Sequence, residues 1–64
     1  MNDDDFNMSM RKFLKQVGIT SQKAIEDAVR AADSSGKTYS ARAVITIEEL
    51  DMTHEVTGTI NGRD

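Results

Sequence analysis

The sequence predicts a small α+β domain in which two short N-terminal helices pack on a C-terminal antiparallel β-hairpin. Apolar residues recur every three or four positions as far as Ala32, and after Gly36 they alternate with polar residues. Residues 48–51 interrupt this alternation over a length that suits a hairpin loop. With 64 residues, the chain is expected to form a single domain, 1–64, with a small core.

The first predicted helix spans about residues 3–17. An acidic run at residues 3–5 would lie at the positive end of the helix dipole and stabilise the helix start. The apolar residues of this segment fall on one helical face: Phe6, Met10, Phe13, Leu14 and Val17.

Gly18 predicts the end of the first helix, because the left-handed position that follows many helices favours glycine. Thr20 or Ser21 would then cap a second helix over about residues 21–33. The apolar positions of that helix are Ile25, Ala28, Val29 and Ala32. We therefore expect two helices joined by a turn at Gly18.

Two strands are predicted at about residues 38–47 and 52–60. Opposing Ile47 to Met52 places the apolar residues of both strands on one face of the hairpin. This face should pack on the helices, because an isolated two-stranded hairpin is marginally stable in water. His54 falls in the apolar row, so we expect it to be partly buried at the edge of the core.

Composition argues against a chemical site. The chain has one histidine and no cysteine, so neither a thiolate metal site nor a cluster of histidine ligands is available. His54 and Glu55 do not form the HExxH pattern of zinc peptidases, because Gly58 stands where the second histidine belongs. We predict no catalytic, cofactor-binding or metal-binding residue and no enzyme activity.

Charge and hydropathy indicate which partners and which cellular location to expect for the protein. The net charge is −3 and the longest apolar runs are only a few residues, so the sequence favours neither nucleic acid nor a membrane as a partner. The N-terminus begins Met-Asn-Asp-Asp-Asp and lacks the charged start and apolar stretch of a signal peptide. We expect a cytoplasmic protein.

Two stretches resemble a known family. Residues 6–30, FNMSMRKFLKQVGITSQKAIEDAVR, are similar to the opening of a family of very short proteobacterial proteins known only as a domain of unknown function. Residues 53–60, THEVTGTI, resemble the closing strand of the same family. The resemblance implies a bacterial, cytoplasmic protein of helix-helix-hairpin form, of the kind chosen as structural-genomics targets. It implies no activity, substrate or functional residue.

A protein-association domain is the function that remains most consistent with these observations. Exposed strand edges predict an unknown protein partner or a weak homodimer. The polar outer face of the hairpin supplies the predicted contact residues: Arg42, Val44, Thr46, Thr53, Glu55 and Thr57. The alternative is a degenerate winged-helix-like nucleic-acid-binding protein, since helix, turn, helix and hairpin follow one another in that order.

Overall fold

The computed structural model describes residues 3–32 and 36–62. The elements are helix α1 at Asp3–Ala31, strand β1 at Thr38–Ile47, a 3-10 turn at Glu48–Leu50 and strand β2 at Met52–Asn61. The α+β class is therefore confirmed. The chain divides into two compact units, Met1–Ala32 and Asp33–Asp64, so the first contains the helix and the second the hairpin.

The prediction of two short helices is wrong, because α1 runs without interruption for 29 residues and passes through Gly18. Glycine costs about 1 kcal/mol relative to alanine inside a helix, and helix propagation on both sides outweighs that local penalty. Thr20 does not cap a second helix: its hydroxyl donates a hydrogen bond to the Gln16 carbonyl oxygen at 2.7 Å, one turn earlier in the same helix.

Charged side chains reinforce α1 along its polar surface. The first turn carries Asp3, Asp4 and Asp5 and the last turn carries Arg30, as the helix dipole favours. Asp27 pairs with Lys23 at 3.0 Å and with Arg30 at 3.2 Å. These ion pairs are exposed, so each adds only a few tenths of a kcal/mol to the helix. The predicted end of the second helix at residue 33 lies outside the described residues.

The hairpin follows the prediction closely. Strand β1 has the predicted bounds, β2 extends one residue beyond them, and Ile47 pairs with Met52 as expected. The chain reverses through the 3-10 turn, where the Asp51 amide donates to the Glu48 carbonyl oxygen at 3.0 Å. Asp51 adopts a left-handed conformation, φ 50° and ψ 42°, which aspartate tolerates better than most residues.

Burial is shallow in both units. Among residues 3–32 and 36–62, no side chain is fully buried. The partly buried residues of the two strands all belong to the predicted apolar row: Tyr39, Ala41, Ile45, Met52 and Ile60. His54 also points to this face but is exposed, so its predicted partial burial is wrong. Packing of the hairpin on the helix stays a prediction.

Candidate association surfaces

The first candidate surface is one face of α1. Seven of its residues are spaced by three or four positions along the whole helix: Phe6, Met10, Phe13, Val17, Ser21, Ala24 and Ala28. At 3.6 residues per turn this spacing forms one continuous line, apolar except at Ser21, which we call the apolar stripe, with Leu14 and Ile25 beside it. The stripe crosses Gly18 without a change of phase, so the sequence contained a signal for one helix.

The stripe is exposed where its side chains are largest. Phe6 is 54% exposed and Phe13 is 51% exposed, and neither Met10 nor Leu14 is buried. Val17, at the middle of the stripe, is partly buried. Contiguous apolar surface of this kind on a small protein marks an interaction site more often than chance exposure does.

Side-chain size changes along the stripe. Along its central line, the N-terminal half carries the large residues Phe6, Met10 and Phe13, whereas the C-terminal half carries the small residues Ser21, Ala24 and Ala28, with Ile25 to one side of them. Val17 lies between the two halves. A second helix that contacts the whole stripe must therefore itself be small at one end and large at the other, or its axis cannot stay at a constant distance.

The opposite face of α1 is different in character. Met8 lies on it and is 70% exposed, while Lys23, Glu26 and Asp27 make hydrogen bonds or ion pairs to neighbours on the helix surface. Met8 and Ile19 are isolated apolar residues among polar ones. Single exposed apolar residues are ordinary on protein surfaces, so this face is the natural reference for the stripe.

The second candidate surface is the outer face of the hairpin, where the six predicted contact residues come together. The register pairs Arg42 with Thr57, Val44 with Glu55 and Thr46 with Thr53. All six side chains are exposed. They therefore form one continuous face, and their role as protein contacts stays a prediction.

Electrostatics on this outer face are weak. Arg42 Nη1 lies 3.8 Å from Glu55 Oε2, diagonally across the strands, and both side chains are mostly exposed. Ion pairs of this length and exposure contribute between about 0 and 1 kcal/mol. Val44, 50% exposed at the centre of the face, is its main apolar feature.

No chemical site emerges from the part of the chain that the structure describes. Within it, no three His, Cys, Asp or Glu side chains are grouped so that they could hold a metal ion. Two surface depressions are open and shallow, one beside the hairpin turn at Asp51 and one on a single helix beside Asn7. Neither contains His54. None of the described helices is long and apolar enough to cross a membrane.

The turn required by the winged-helix alternative is also absent from the described helix. A helix-turn-helix places a recognition helix at a large angle to the preceding one, through a short turn. Here the segment predicted to form that turn, residues 17–20, is continuous α-helix. The predicted helix-turn-helix, on which the nucleic-acid alternative depended, is therefore wrong.

Comparison with known proteins identifies a family but no function. Residues 1–63 match the sequence model of a family of unknown function, DUF6494. No curated protein matches the chain. No solved structure matches it either.

Proposed function

We propose that this chain, which belongs to the family of unknown function DUF6494, is a small non-enzymatic protein-association domain. The observation that carries the proposal is the apolar stripe of α1, whose two phenylalanines are more than half exposed. The bacterial and cytoplasmic setting implied by the sequence resemblance is part of the same proposal.

Energetics support a covered stripe. Burying an exposed phenylalanine or methionine side chain is worth about 1.5–3 kcal/mol when burial is complete. The described residues of the chain include no fully buried side chain, so none of them realises this free energy completely within the chain. A small domain with so little core is commonly stabilised by association with another chain.

Helix length supports the same conclusion. A helix of 29 residues spans about 44 Å, which exceeds the diameter of a domain of this size. Most helices in proteins are stabilised by packing of an apolar face rather than by intrinsic propensity. We therefore expect a partner that covers the whole stripe, from Phe6 to Ala28, to be elongated.

Photo-crosslinking in the living cell tests the proposal directly. A photoreactive phenylalanine analogue replaces Phe13 in the full chain, expressed in the organism that encodes it. We expect discrete covalent adducts with protein after irradiation, because Phe13 would be in contact with an associated chain. The adducts are measured by immunoblot and identified by mass spectrometry.

Met8 provides the matched control, since it lies on the opposite face of the same helix and is 70% exposed. The same photoreactive residue at position 8 should give few or no adducts. Absence of adducts at position 13, or equal adducts at both positions, would reject association through the stripe.

A further inference from the structure

We infer that the apolar stripe of α1 is covered by α1 of a second copy of this chain, running antiparallel, with Val17 facing Val17 of the second copy. This inference rests on the proposed association function and names the partner. Three features of the described helix support it: the gradient of side-chain size, the distribution of charge and the amount of exposed apolar surface.

The size gradient is self-complementary in the antiparallel direction only. With Val17 at the twofold axis, each large residue of the stripe meets a small one: Phe6 faces Ala28, Met10 faces Ala24 and Phe13 faces Ser21. Within each pair, the two residues are the same number of positions away from Val17 in the sequence. The two helix axes can therefore keep one separation, within the usual 8–10 Å, along the whole contact.

A parallel pair would fit poorly. Phe6 and Phe13 would each meet their own copies at one end of the contact, while Ala24 and Ala28 would meet alanines at the other. The large end would force the helices apart, and the small end would leave a gap, which costs packing energy in both cases.

Charge favours the same direction. The first turn of α1 carries three aspartates and the last turn carries Arg30. Arg30 is already paired with Asp27 of its own helix, so the contribution comes from the dipoles and the aspartates: an antiparallel pair opposes the helix dipoles favourably and keeps the acidic first turns of the two copies at opposite ends. A parallel pair would gather the aspartates of both copies at one end, where like charges repel.

The exposed phenylalanines supply a substantial part of the area that a dimer interface needs. Phenylalanines carry about 150–250 Å² each, so covering the exposed halves of four rings removes on the order of 300–500 Å². Specific interfaces begin at about 1,200 Å² in total. The phenylalanines thus supply about a third of that area, and Met10, Leu14 and the alanines extend the contact along the helix.

Cysteine cross-linking distinguishes the arrangements, because the natural sequence contains no cysteine. Single variants of the full chain are equilibrated in a glutathione redox buffer, and disulfide-linked dimers are quantified by non-reducing electrophoresis and intact mass. Val17→Cys should form a homodimer disulfide. Met10→Cys alone should not, since residues 10 of the two copies would lie about 21 Å apart along the axis, beyond the reach of a disulfide.

A mixture of Met10→Cys and Ala24→Cys chains completes the test. The antiparallel pair predicts that the mixed disulfide exceeds either homodisulfide at least tenfold, since positions 10 and 24 face each other. Two chains carrying different tags identify the mixed species by mass. Circular dichroism of the reduced variants establishes that the helix content is retained, and Met8→Cys serves as the variant on the opposite face.

The outcomes separate this inference from the proposed function. Sedimentation at the dimer mass with the predicted disulfide pattern supports the antiparallel pair. A strong homodisulfide at Met10→Cys indicates a parallel pair and overturns it. A monomer at all concentrations up to the millimolar range overturns it as well. In either case, photo-adducts at position 13 that are absent at position 8 would leave the association function standing, whereas a monomer without such adducts would reject both.

Discussion

Met8 and Met10 are separated by one residue in α1 but lie about 160° apart around its axis. Met10 belongs to the apolar stripe and is 42% exposed, whereas Met8 lies on the polar face and is 70% exposed. The same substitution at these two positions therefore changes charge, size and helix propensity equally and differs only in the face it alters.

Met10→Glu should weaken self-association at least about 30-fold, which corresponds to about 2 kcal/mol. The physical reason is that a carboxylate placed in an apolar contact loses its hydration and the contact loses a buried methionine. Sedimentation equilibrium over a concentration series measures the change. Met8→Glu should alter the association constant less than threefold, and an equal loss in both variants would contradict a contact through the stripe.

Gly18 and Gly36 should respond in opposite directions to alanine. Gly18 lies inside α1, and a Cβ added there meets no heavy atom within 4 Å. Gly18→Ala should therefore raise the free energy of unfolding by about 0.5–1 kcal/mol through helix propensity. Chemical denaturation at fixed protein concentration measures it. A loss of stability would favour the helix end that the sequence predicted at this glycine.

Gly36→Ala is the companion variant. Gly36 has φ 72°, in the left-handed region, so a Cβ there is strained even though the surrounding space is open. We expect the free energy of unfolding to fall by about 1 kcal/mol, because L-residues are strained in that conformation. An unchanged midpoint for Gly36→Ala would show that this conformation does not limit stability.

The hairpin turn offers a test that is local to the second unit. Asp51 has a left-handed backbone, φ 50° and ψ 42°, and its amide donates to Glu48. Asp51→Val should destabilise the hairpin by about 1–2 kcal/mol, because a β-branched side chain is strained there. Asp51→Gly should match or exceed the natural stability. Hydrogen exchange of the β1 and β2 amides measures both, and equal protection in the two variants would contradict the expectation.

The hairpin was predictable because its signals are local and agree with one another. The alternation of period two gives the strands, and Ile47 opposite Met52 fixes a register that places the six outer residues together, Val44 among them. A shift of one residue would have placed the apolar rows of the two strands on opposite faces of the hairpin. The sequence therefore determined both the fold of this unit and the composition of its outer face.

The helix was mispredicted because a local rule was weighed above a longer pattern. Gly18 matches a helix-end preference, but the stripe continues in phase from Val17 to Ser21 and on to Ala28. Because the segment was treated as two helices, the large and the small residues of the stripe were assigned to different elements. The continuous surface that they form was therefore not recognised. The exposure of His54 was missed because a residue in an apolar row was assumed to have a core beneath it.

The last prediction separates the two candidate surfaces. Val44→Lys adds a charge at the centre of the outer hairpin face, opposite Glu55, with which the lysine can pair across the strands. The free energy of unfolding of the hairpin should fall by less than about 0.5 kcal/mol, because Val44 is half exposed. If dimers form through α1, the association constant of this variant, measured by sedimentation equilibrium, should match that of the natural chain, while that of Met10→Glu falls at least about 30-fold. Dissociation by Val44→Lys together with persistence of the Met10→Glu dimer would assign the interface to the hairpin instead, as the sequence first indicated.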